Sequence, residues 1–173
     1  MVWHGMAPSD RSESMKESED CRAQPGNHEL YWEDFHAGRR FECGQRQVSK
    51  AEIIEFATSY DPQPFHLDEA FCAGTIYGGL IASGAHVWAV CMGLVARSLF
   101  NRSANMGSPG LDHLGWHCPL RPDDVVSAVV DVVSAEPSSR ATFGKLKLRF
   151  ELSNQHQEKV MTAVANVLMG RKG

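Results

Sequence analysis

The stretch that decides the fold is Ala85-His86-Val87-Trp88-Ala89-Val90-Cys91-Met92-Gly93-Leu94-Val95-Ala96-Arg97-Ser98-Leu99-Phe100. Read at a helical period, its Val, Trp, Cys, Met and Leu side chains leave hardly any polar face. A helix apolar nearly all round is enclosed, either by lipid or by protein. Lipid is the first alternative to weigh, because residues 76–96 carry no formally charged side chain and could span a bilayer. Gly78, Gly79, Ser83, Gly84 and His86 crowd the first half of that run. They lower its helical and its apolar character together. The remainder already contains Arg97. A core helix is therefore expected, with no membrane span.

In a chain of 173 residues the element able to enclose such a helix is a curved sheet. The sequence after it supplies one. Leu111–Leu120, Val125–Ala135, Thr142–Ser153 and Lys159–Met169 are β-rich and separated by Arg-Pro-Asp, Glu-Pro-Ser-Ser and Ser-Asn-Gln-His turns. Lys145, Lys147 and Arg149 alternate with Leu146, Leu148 and Phe150, the mark of a half-buried strand. Their spacing fits antiparallel hairpins. Before the helix, Phe41–Val48 reads as a further strand. Ser49 then caps a helix bearing Ile53, Ile54, Phe56 and Ala57, with Glu52 completing a capping box. Pro62 and Pro64 end that helix near Tyr60 and make Asp61–Phe65 a stiff, non-helical connector. A short helix over Asp68–Ala73 follows, stopped by Gly74. The expected architecture is α+β: a single domain whose antiparallel sheet wraps a long central helix.

Composition narrows the function classes. A hydrophobic share of 43% is ordinary for a globular domain. A net charge of −4, with the basic residues scattered, argues against nucleic acid as a partner. Cys21, Cys43, Cys72, Cys91 and Cys118 form no CxxC pair, which points to free thiols in a reducing cytoplasm. Residues 1–28 are rich in Ser, Glu, Asp and Gly, lack an apolar core and read as a disordered leader before a domain over 29–173.

The chemistry-bearing segment is Asp61-Pro62-Gln63-Pro64-Phe65-His66. Two prolines hold a carboxylate and an imidazole on rigid backbone beside the central helix, and small misplacements in such a pair cost rate. Together they can polarise a water near neutral pH, one accepting and one donating a proton. On spacing alone, a turn aspartate and a structural histidine explain the same residues. Ser83 is a good N-cap, and the free N–H groups that follow it, beginning with Gly84, would favour a developing oxyanion as readily as they serve plain helix packing.

The segment Asp61–His66, continued by Leu67-Asp68 and then Gly79-Leu80-Ile81-Ala82-Ser83-Gly84, resembles the hydratase motif of the MaoC-like dehydratases and (R)-specific enoyl-CoA hydratases. Those proteins carry D-x-N-P-x-H-x-D, followed by a small or His residue and a Gly opening a long apolar helix. Tyr31-Trp32-Glu33-Asp34-Phe35 with Gly38 is similar to the family's opening segment. Leu114-Gly115-Trp116 with Pro119–Asp124 is similar to its strand and turn downstream. The resemblance implies a hot-dog fold, a homodimer, and a thioester substrate carried on CoA or acyl carrier protein. It implies neither cofactor nor metal. It further implies that Asp61 and His66 hold the water added to an enoyl double bond, and that the Gly84 amide takes the thioester carbonyl. Gln63, Ser83 and Met92 stand where relatives carry Asn, His and Ser, and as substrate-binding positions they bear on substrate choice.

Two other readings remain on the sequence. Hot-dog domains also serve as thioesterases, but that chemistry usually wants a carboxylate on the central helix, and residues 85–100 contain none. A non-catalytic acyl-CoA-binding module is the third. His86 is expected to serve the core rather than the pocket. His113, His117 and Cys118 suggest a metal at first sight, but at strand rise the two histidines lie about 13 Å apart, too far to share one ion.

Overall fold

The computed structural model describes residues 28–172. The leader expected over residues 1–28 therefore lies, apart from His28, outside the described residues, as does Cys21.

A 3-10 turn at Trp32–Asp34 leads into strand β1 (Arg40–Gln47), then helix α1 (Lys50–Tyr60). Two one-turn helices follow, α2 (Pro64–Leu67) and α3 (Glu69–Ala73), and then the long helix α4 (Gly84–Ser98). Four strands complete the chain: β2 (Gly110–Trp116), β3 (Val125–Pro137), β4 (Phe143–Ser153) and β5 (Lys159–Gly170). They form one sheet in the order β1-β3-β4-β5-β2, every neighbouring pair antiparallel. The sheet curves around α4, the hot-dog arrangement.

The alternation in β4 does the work its pattern suggests. Leu146, Leu148, Phe150 and Leu152 are buried against α4, and the residues between them face outward. From α4, Val87, Val90, Cys91, Leu94 and Val95 enter the same core. Each such aliphatic side chain is worth about 1.5–3 kcal/mol relative to exposure. Enclosure is incomplete, however. Ala85 and Ala89 are exposed and Met92, Gly93 and Ala96 only half-buried, so one face of the helix, small residues apart from Met92, stays open.

Four sequence expectations change in detail. β2 does not form a hairpin with β3. It stops at Trp116, and residues 117–124 cross to the other side of the sheet, leaving β2 as the edge strand beside β5. The connector after Asp61 is stiff but not wholly extended. Pro64 opens α2, because its fixed φ and missing N–H suit the first helical position. The capping box is half formed: Ser49 accepts from the Glu52 amide at 3.2 Å, while the Glu52 carboxylate turns away to Arg46 and His86. The central helix ends at Ser98, and Phe100–Arg102 forms a separate 3-10 turn.

No helix among the described residues is long and apolar enough to cross a membrane.

Candidate active site

α1 ends by handing Asp61 to the cavity. The Asp61 amide still donates to the Ala57 carbonyl at 2.9 Å, but its φ of −154° leaves the helix and turns the carboxylate outward. Pro64 then starts α2, which carries His66 inward to 4% exposure. Asp68 fixes the far end of the segment by capping α3, accepting from the Ala70 and Phe71 amides. A second strand of backbone, residues 81–83, lies alongside and leads into α4.

The histidine bridges the two strands of backbone. His66 Nδ1 lies 2.9 Å from the Ile81 carbonyl oxygen, which can only accept, so Nδ1 carries the proton. In the neutral ring the lone pair is therefore on Nε2, which faces Asp61 Oδ2 at 3.4 Å. That is long for a direct hydrogen bond, and it leaves both atoms free to share a third partner such as water.

The carboxylate is held on both oxygens. Gln63 Nε2 donates to Oδ1 at 2.7 Å, and Ser83 Oγ donates to Oδ2 at 2.6 Å. These hydrogen bonds, Ser83's first and Gln63's next, hold the Asp61 carboxyl below the ordinary carboxylate range, aided by His66 and opposed by partial burial. A depressed folded-state value stabilises the fold above the unfolded value and loses that contribution as pH falls through the folded one. Asp61 is therefore expected to stay ionised throughout neutral pH and to contribute nothing to alkaline unfolding. Acid titration of the wild type and Asp61→Asn should show the two stability curves converging only below the ordinary carboxylate range; convergence already near neutrality would contradict the assignment.

The opposite boundary of the site is the start of α4. Ser83 caps it, its Oγ accepting from the Ala85 amide at 3.2 Å. The Gly84 amide, first in the helix, has no acceptor among the described residues. Over Gly84 lies the Trp116 indole, whose Nε1–H donates to the Gly84 carbonyl at 3.1 Å. A Cβ at this position would sit 2.7 Å from Trp116 Cε2, so glycine is what lets the ring close down on the helix.

Between these parts lies a cavity of about 460 Å³. Asp61, Gln63, His66 and Gly84 give it polar atoms, while Phe65, Ile81, Val87, Trp116 and Leu120 supply an apolar wall. Of the residues singled out in the sequence, Asp61, His66, Gln63 and Gly84 thus meet around one space. Ser83 is fully buried behind them and reaches Asp61 instead of the cavity. Met92 packs against the core further along α4 and is not part of the cavity wall.

Tyr77 and His117 also line the cavity. Tyr77 lies in a glycine-rich stretch with no periodicity to mark it, held down by Arg121, which donates to its carbonyl at 2.6 Å. No local signal connects positions so far apart in the chain. His117 Nε2 meets Thr162 Oγ1 at 2.7 Å. Its ring and that of His113 both lean over Gly115, nearer each other than strand rise suggests. No group of three or more metal-ligating side chains occurs among the described residues. His86 lies outside this cavity, as its core reading requires: it is 2% exposed, stacks on Phe56 and points Nε2 at Glu52 Oε1, 3.1 Å away, while its Nδ1 has no partner among the described residues.

The uncharacterized protein YdeM of Bacillus subtilis is 30% identical over 139 residues, covering 80% of this chain and 98% of that protein. The 3-hydroxybutyryl-CoA dehydratase of Methylorubrum extorquens is 31% identical over 113 residues, covering 64% and 69%. The crystal structure of the MaoC-like dehydratase from Rhodospirillum rubrum superposes with a TM-score of 0.75 at 34% identity, covering 83% of this chain and 99% of that one. Residues 35–151 match the MaoC like domain. With the sheet-wrapped helix and the Asp61–His66 cavity at its start, the chain belongs to the MaoC-like hydratase and dehydratase family.

Proposed function

We propose that the protein catalyses the reversible hydration of a trans-2-enoyl thioester to the (R)-3-hydroxyacyl thioester. The observation that carries this reading is the approach of His66 Nε2 to Asp61 Oδ2, 3.4 Å apart, on the wall of a cavity that Gly84 also lines, its amide without an acceptor among the described residues. A water between the two side chains donates one proton to each. Its oxygen attacks C3 of the enoyl group as one of its protons passes to the pair. The electrons of the double bond move onto the thioester oxygen, where the Gly84 N–H and the helix start stabilise the enolate. A proton returned from the pair to C2 completes the addition, and dehydration is the same path reversed.

The name of the Methylorubrum extorquens relative supports a CoA thioester as substrate; acyl carrier protein is the alternative carrier. The reading extends to a homodimer. Among the described residues strand β2 has a free edge, and Leu111 and Trp116 on it are 42% and 53% exposed. Pairing of two such edges would cover them and shorten the exposed sheet margin. A reducing cytoplasm suits the buried free thiols Cys43, Cys72 and Cys91. Thioester hydrolysis is less well supported: Glu52, which approaches α4 from outside, is bound to Arg46 and His86 away from the cavity.

A panel of enoyl-CoAs of increasing chain length tests the proposal through loss of the conjugated absorbance and mass analysis of the product. Formation of a 3-hydroxyacyl-CoA supports it. Release of free CoA thiol, or binding without turnover across the panel, would overturn it. Gly84→Ala should lower kcat by about 10²-fold, the scale of a displaced oxyanion donor. Its Cβ must push Trp116 off the helix start, so Trp116 fluorescence should change in parallel. Because alanine keeps the backbone N–H, unchanged kcat with a shifted indole signal would show that the close packing of Trp116 on Gly84 does not hold that donor in place.

A further inference from the structure

Ser83 has the geometry of a coupling, not of a substrate contact. It is fully buried and absent from the cavity wall. Its one hydroxyl makes two bonds in opposite directions. It donates to Asp61 Oδ2 at 2.6 Å and accepts from the Ala85 amide at 3.2 Å. One bond reaches the group at the end of α1; the other closes the first turn of α4, next to the Gly84 amide.

We propose that Ser83 is a positioning residue that locks the Asp61 carboxylate to the start of α4, so that the water-activating group and the Gly84 donor keep one fixed spacing. This rests on the proposed hydration chemistry for its catalytic consequence, but not for its structural content. A hydroxyl has a single proton. Spending it on Asp61 fixes the direction of the lone pair that caps the helix, so neither bond can rotate without breaking the other. Gln63 holds the other carboxylate oxygen but is exposed and lies on Asp61's own loop, so it orients Asp61 without linking it to α4. The arrangement also leaves His66 Nε2 as the neighbour of Asp61 with an unshared lone pair. The remaining titratable groups around the cavity are Tyr77, His117 and Cys118, none of which hydrogen-bonds Asp61.

Two variants separate this role from simple helix capping. Ser83→Ala removes the hydroxyl and the cap; Ser83→Gly removes the hydroxyl at a position where glycine is tolerated as a cap. The direct readout is the Asp61 side-chain carboxyl resonance in labelled protein, titrated by carbon NMR and assigned with Asp61→Asn. Both variants should move the Asp61 titration to higher pH by the same amount, while Tm falls mainly in Ser83→Ala. In enoyl-CoA hydration both should lose about tenfold in kcat with little change in KM, the size of one lost hydrogen bond to a charged group. An Asp61 titration identical in all three proteins, with Tm alone responding, would reduce Ser83 to a cap and overturn the proposal. The NMR arm stands even if the wild type hydrates no enoyl thioester, in which case the reaction assignment fails and the positioning result remains.

Discussion

His66→Asn is expected to reduce kcat for enoyl thioester hydration by about 10²–10⁴-fold while leaving the fold intact. The asparagine amide can occupy the place of Nδ1 and keep the hydrogen bond to the Ile81 carbonyl, which in the wild type is 2.9 Å long. What it cannot supply is Nε2, the atom that faces Asp61. The backbone strands 65–66 and 81–83 therefore stay together and only the proton-transfer atom is lost. KM should change little, because the apolar wall of Phe65, Ile81, Val87 and Trp116 is untouched. A comparison of kcat, KM and Tm checks this. Equal losses in binding and stability would mean that His66 is a structural tie and nothing more.

Phe150→Ala is expected to destabilise the protein by about 3–5 kcal/mol, among the largest single effects available in this fold. Phe150 is 1% exposed at the middle of β4 and meets both Trp88 of α4 and Phe100 of the following turn, edge to face. Truncation leaves a cavity where sheet and helix meet, and the paired strands β3 and β5 restrict collapse into it. Denaturant unfolding of the two proteins measures the difference. A loss below about 1 kcal/mol would show that the sheet closes readily on α4 and that the core is less tightly determined than its burial implies.

These two positions also mark what the sequence discloses and what it hides. Phe150 is legible because β4 alternates, and a two-residue period has one structural meaning when one face is buried. The central helix is legible for the complementary reason, that between His86 and Arg97 nothing polar interrupts its period. The placement of β2 is not. Its composition says strand, but whether it pairs with β3 or β5 depends on where residues 117–124 travel, which no local pattern encodes. The turn of helix at Pro64 is hidden because proline reads as a breaker, although it fits the first helical position well. Glu52 shows the same limit. Its spacing from Ser49 describes a capping box, yet Arg46 and the buried His86 offer its carboxylate charged and polar partners that outweigh one backbone amide.

The site divides along the same line. Asp61 and His66 stand close in sequence on a segment stiffened by two prolines, so their meeting could be read directly. The Gly84 position could be read from helix-start chemistry. Ser83 could be named but not given its role, because the bond to Asp61 joins residues on different elements. Met92 was expected at the substrate, and its place on α4 points it to the core cluster instead. Tyr77 carries no sequence signal, since a glycine-rich loop has no period to reveal which residue turns inward, and the turn that contains Arg121 gives no hint that Arg121 holds that loop.

The measurement that bears most directly on the Asp61–His66 water is hydration of an enoyl-CoA in ¹⁸O-labelled water, with the product analysed by mass spectrometry for wild type, Asp61→Asn and His66→Asn. The expected result is one heavy oxygen at C3 of the 3-hydroxyacyl-CoA from the wild type, with product formation reduced by about 10²–10⁴-fold in each variant. Label in a released carboxylic acid, or undiminished hydration in both variants, would contradict it.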